Sequence, residues 1–132
     1  MNKRRFLFVA PAFALLLLAL QTDNARAATA APPEAERLLL KMIDAVKAES
    51  YDAFLADADA NLKKHLSRQQ FEGLCGLYTK PLKKGYTLDY LGQLKQQGFA
   101  VHLWKVTAAG ATEDVLVKLA VKDGKVGGVW VQ

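Results

Sequence analysis

The sequence predicts an α+β domain, with N-terminal helices packed on a curved four-stranded antiparallel meander. Three observations predict it. Apolar residues recur at helical spacing between Ala35 and Tyr78. From Gly85 the period changes from 3.6 to 2. The period-2 segments "YTLDYLGQL", "FAVHLWKV", "EDVLVKLAV" and "VGGVWVQ" are separated only by "KQQG", "TAAGAT" and "KDGK".

The chain opens with three cations in "MNKRR", followed by fifteen uncharged residues, Phe6 to Leu20, and "ARA" at Ala25 to Ala27. A basic start, a short apolar run and a small-x-small end form the pattern of a cleaved secretory signal. The apolar run contains Pro11 and is short for a bilayer span, which needs about 20 residues. Cleavage after Ala27 is favoured, with Ala30 as the alternative, and no cysteine follows to support a lipid anchor. The expected location is periplasmic or secreted, with no membrane span after cleavage.

Removing residues 1–27 changes the charge argument. The whole chain carries 18 Lys+Arg against 13 Asp+Glu, a net charge of +5. The segment holds Lys3, Arg4, Arg5, Arg26 and Asp23, so the remainder has 14 cations, 12 anions and a net charge of +2. A nucleic-acid partner loses its electrostatic basis. The remaining 105 residues suit one domain at 34–132 behind a flexible lead-in, 28–33. Cys75 is the single cysteine, so packing rather than a disulfide must hold the fold.

Pro32 and Pro33 suit a helix start, and Glu34 and Glu36 suit its positive end. Ala35, Leu38, Leu39, Met42 and Val46 then form the apolar stripe of a helix ending near Glu49. Ser50 caps a shorter helix carrying Tyr51, Phe54 and Leu55. "ADADANLKKHL" reads as a weaker helical or turn segment. Ser67 and Gln70 form a capping-box pattern ahead of Phe71, Leu74, Cys75 and Tyr78, and Pro81 is expected to end that helix at or before Lys80.

For the last hairpin, burying one aliphatic face requires a type I turn with a bulge at Gly124. This puts Val129 and Val131 with Val115, Val117, Leu119 and Val121. Pairing Leu103 with Val117 and Val101 with Leu119 adds Phe99, Val101 and Leu103, and Tyr86, Leu88, Tyr90 and Leu94 complete the face. The opposite face then holds His102, Trp104, Leu116, Lys118 and Trp130, with His102 across from Lys118. Two tryptophans on one exposed sheet face predict a contact surface for a second copy of the chain or an envelope protein.

The stretches "SYDAFLADA", "SRQQFEGL", "YLGQL", "LWKV" and "DVLVKLAVKDGKVGGVWVQ" resemble, as a pattern of elements, the NTF2-like superfamily of cystatin-like cones. The resemblance covers nearly all of 28–132 and is strongest in the last hairpin, which is similar to that of small secreted members of unassigned activity. It implies a helix-lined cone able to hold a small apolar ligand, a sheet face used for dimerisation, and SnoaL- or ketosteroid-isomerase-like enzymes among the relatives. Fold alone does not choose between these.

Chemistry finds little support in the residues. His65 and His102 lie in different elements, no metal-ligand spacing occurs, and neither a GxSxG nucleophile nor a phosphate loop is present. No cofactor and no metal are expected. Isomerase-type chemistry needs a buried carboxylate base beside a donor. Asp52 falls next to Tyr51 and faces water, leaving Tyr51, Tyr78 and Tyr90 as cone-lining candidates and Lys105 reaching out of the cone mouth. The expectation is an exported, non-enzymatic binding domain; the alternative is an isomerase-like enzyme acting on a small apolar substrate.

Overall fold

The computed structural model describes residues 30–132. The expected signal segment, 1–27, lies outside the described residues, as do the first two residues of the lead-in. Helix α1, Pro33–Lys47, begins at the two prolines, with Glu34 and Glu36 in its first turn and Lys47 in its last. Its buried stripe includes Leu38, Leu39, Met42, Ile43 and Val46. The helix closes across Glu49, at φ 53°, where the Ser50 amide donates to the Ala45 carbonyl at 2.9 Å.

Two short helices follow, α2 (Tyr51–Phe54) and α3 (Ala60–His65), capped by the side chains of Ser50 and Asp59. Between them the chain clips onto the last strand. The Asp59 amide donates to the Val126 carbonyl at 2.8 Å, and the Val126 amide donates to the Asp57 carbonyl at 2.9 Å. Lys41 on α1 pairs with Asp57, whose carboxyl is held below its ordinary range by that hydrogen bond.

Helix α4, Arg68–Lys84, starts with the expected capping box: the Gln70 amide donates to the Ser67 hydroxyl and the Ser67 amide to the Gln70 side chain. It does not stop before Pro81 but runs through it to Lys84. Proline deprives the Leu77 carbonyl of its donor, but Leu77 is 69% exposed, so that turn faces water that can satisfy the carbonyl. Thr79, buried on the other side, donates to the Val46 carbonyl at 2.9 Å and ties α4 to the end of α1.

Strands β1 (Tyr86–Gln96), β2 (Phe99–Ala108), β3 (Val115–Lys122) and β4 (Lys125–Val131) form the antiparallel meander in the order β1-β2-β3-β4. The architecture is the α+β arrangement expected, helices on one face of a four-stranded sheet. The β1–β2 and β3–β4 turns are two-residue turns with both residues at positive φ: Gln97 (52°) with Gly98 (81°), and Asp123 (52°) with Gly124 (72°).

Register corrects three expectations. In the last hairpin the turn is tighter than expected, and the extra residue sits at Gly127, where pairing shifts between Ala120 and Val121. The predicted faces survive: Val129 and Val131 lie beside Leu119 and Val117, and Trp130 beside Lys118. In β2 the predicted pairing is one residue off. Trp104 pairs with Val117, His102 with Leu119 and Leu103 with Lys118. The shift turns His102, Trp104 and Val106 towards the helices, and Phe99, Val101 and Leu103 away. A bulge between Tyr90 and Gly92 sends Leu94 outward as well, opposite Val101.

Side-chain chemistry explains which register wins. Turning Leu103 inward would turn Lys105 inward too, at the cost of burying an ammonium. The observed register buries the large Trp104 ring and brings in only one polar side chain, the His102 imidazole, which finds a partner. Lys105 meets Asp89 at 3.2 Å on the outer face, where both are exposed. The core lies between α1, α4 and the inner rows Tyr90–Trp104–Val117–Val131 and His102–Leu119–Val129.

Candidate functional site

The residues expected to share one surface divide between two faces. Leu116, Lys118 and Trp130 lie on the outer face, and Trp130 is 48% exposed. Trp104 is buried to 1% and His102 to 5% on the inner face. The geometric basis for a two-tryptophan interface is therefore gone, as is the His102–Lys118 pairing. The four cone candidates also divide. Tyr78 lines an inner cavity. Tyr51 instead donates to the Leu66 carbonyl at 2.6 Å, beneath the Arg68 guanidinium. Tyr90 lies on the inner face beside His102, and Lys105 is on the outer face rather than at a cone mouth.

The inner cavity lies where β2 ends, β3 begins and β4 ends. Met42 and Val46 of α1, Leu74 and Tyr78 of α4, and Val117 and Val131 of the sheet are among its walls. Its volume is about 70 Å³, it opens to solvent, and almost no polar atom faces it. No carboxylate or imidazole lines it among the described residues. A void of this size could hold water, but water needs two to four polar partners, which these walls do not offer.

Further along the same two rows of the sheet is the most polar feature of the inner face. The Tyr90 hydroxyl lies 3.0 Å from His102 Nδ1, and both rings pack against Trp104, with centroids 5.3 and 5.8 Å away. Burial pushes the Tyr90 phenol up and the His102 imidazole down, so both are neutral near pH 7. Trp104 separates Tyr90 from Val117, and Leu119 separates His102 from Val129, and both valines line the cavity. The donor–acceptor pair and the apolar space are thus separate features.

The outer face carries a second hollow, of about 620 Å³, around the β1–β2 turn and the bulge. Phe99 and Trp130 line it above a floor that includes Val101, Ala120 and Gly127, and the side chains of Asn61, Gln96 and Gln97 complete it. Sequence reasoning missed this hollow. The signal for it was "GG" at 127–128, since glycine inside a strand marks a bulge or a close approach. A Cβ on Gly127 would fall 2.4 Å from the Phe99 ring, and one on Gly128 would fall 2.4 Å from the Trp130 ring.

No family model matches the chain, and no curated protein matches it. Among solved structures, the chain is similar to an NTF2-like protein of unknown function from Cytophaga hutchinsonii. The two are 13% identical, the match covers 79% of this chain and 93% of that one, and the TM-score is 0.39.

Proposed function

We propose that the chain is an exported, non-enzymatic binding domain that holds the apolar end of a small ligand in the cavity between α1, α4 and the sheet. The observation that carries this reading is the composition of the cavity wall, which is hydrocarbon almost throughout. Ligand sites are concave and mostly apolar, with a few polar groups to orient the ligand. Here those groups are lacking, so the bound part is a short alkyl portion whose polar remainder stays in solvent. The volume suits a short alkyl segment rather than a whole lipid, because an apolar cavity of about 150 Å³ is what accommodates benzene. General acid–base chemistry would need a titratable group against the ligand, and the Tyr90–His102 pair lies behind Trp104.

The test is titration with medium-chain alcohols and fatty acids, followed by the methyl resonances of Met42 and Val131 in the cavity wall. Saturable shifts are expected, together with their loss in Val117→Phe, which fills the cavity. If these ligands leave the wild-type methyl resonances unmoved, or bind Val117→Phe equally well, the cavity is a packing defect and the reading fails. Export is tested separately by the intact mass of protein from its own cell envelope, which should begin at Ala28 or Ala31. A retained Met1 would overturn export and leave the cavity reading standing.

A further inference from the structure

We infer that the outer hollow at the β1–β2 turn is a binding site for a neutral carbohydrate, an oligosaccharide lying across Phe99 and Trp130. The site is separate from the inner cavity and needs no part of the preceding reading. Its walls combine two chemistries in similar measure. Phe99 and Trp130 supply aromatic carbon, while Asn61, Gln96 and Gln97 supply amides. Two opposite charges stand at the rim, the Lys122 ammonium 5.8 Å from the Phe99 ring centroid and the Asp59 carboxylate beside Gly127. Each amide offers two donors and an acceptor. All three residues are exposed, so their amides are open to a ligand. A sugar ring matches this set: its C–H face rests on an aromatic ring and its hydroxyls meet amides. An ion of either sign would meet a like charge at the rim, Lys122 or Asp59, and a wholly apolar ligand would strand the amides.

Two backbone features build the site. Successive glycines in β4 leave space for the rings: a side chain at Gly127 would meet Phe99, and one at Gly128 would meet Trp130. The rings thus lie close against the sheet, and the Trp130 side chain is still 48% exposed. The second feature is Gln97, held at φ 52° in the tight turn. Asparagine enters that left-handed region more readily than glutamine, so turn geometry alone does not account for glutamine here. The longer side chain keeps an amide at the edge of the hollow. The volume, about 620 Å³, lies within the roughly 300–1,000 Å³ of ligand clefts.

The experiment follows the Trp130 indole N–H resonance during titration with maltohexaose, cellohexaose and chitohexaose. Trp104, buried on the other face, serves as the internal reference. At least one sugar should shift Trp130 saturably at millimolar concentration and leave Trp104 unmoved. Trp130→Ala and Gln97→Asn should each weaken that binding about tenfold, which an interface hot spot would do. Gln97→Asn relaxes the turn, so its Tm should hold or rise, and lost binding cannot be attributed to unfolding. The proposal is overturned if none of the three sugars shifts Trp130, if either variant binds like wild type, or if a dimer shields Trp130 from acrylamide in the free protein.

Discussion

Trp104 and Trp130 lie on opposite faces of the same sheet, and their surroundings differ in kind. Trp104 sits in a row of large side chains, Tyr90, Val117 and Val131, under the helices, and is 1% exposed. Trp130 has Lys118 beside it and lies against Gly128 with half its surface in solvent. The first ring fills the core. The second rests on a sheet whose own side chains have been removed to make room for it. Composition treats the two residues alike; position in the pleat decides what each does.

Truncation should separate them most strongly. Trp104→Ala should cost about 3–5 kcal/mol in urea unfolding, the range for deleting a buried aromatic. Trp130→Ala should cost less than about 1 kcal/mol, as for other exposed positions. Similar losses for both would show that the outer ring is part of the core after all.

Next in size is the response to acid at the inner face. Burial lowers the His102 pKa below its ordinary 6.5, so the unfolded chain takes up the proton more readily than the folded one. Stability is therefore full above about pH 6.5 and declines as the pH falls from there towards the folded-state value. His102→Gln should flatten that part of the stability profile, and urea midpoints between pH 5 and 7.5 measure it. A stability that rises on acidification would contradict the buried, neutral imidazole.

A smaller effect belongs to Cys75, buried on α4, whose thiol burial pushes up. Cys75→Ala should cost on the order of 1 kcal/mol. Native protein should react with a thiol reagent only at the rate of its opening, and rapid labelling would place the sulfur at the surface. The smallest change is expected from Gly128→Ala. The added methyl meets the far end of the Trp130 side chain, so the ring swings away at little cost in stability. Trp130 should then become more accessible to acrylamide, and an unchanged quenching constant would show the ring never lay over the glycine.

Much of this arrangement was legible in the sequence where a local rule decided the outcome. The Ser67–Gln70 box marked the start of α4, the double proline marked the start of α1, and the aliphatic alternation of β3 fixed the facing of β4. What escaped was the strand whose two faces are both apolar. In β2, Val101 and Leu103 compete with Trp104 and Val106 for the core, so alternation is silent. The six residues joining β2 to β3 also lack a turn type tight enough to set the register. Charge held the missing information: Lys105 cannot go inward, and His102 can if Tyr90 meets it. The outer hollow was only hinted at by its two glycines, for a different reason. It draws on α3, the β1–β2 turn and β4, which only the folded chain brings together.

The bulge at Leu91 also matters for the edge strand it interrupts. β1 is eleven residues long and pairs with a neighbour on one side only. A straight strand of that length would be a template for other chains, because six or seven residues in regular extension suffice to seed cross-β stacking. The bulge divides it into runs of five on either side of Leu91, with the sense of the pleat inverted between them. An incoming strand could match one run or the other but not both. The irregularity that turns Leu94 outward thus also guards the sheet against growing by polymerisation.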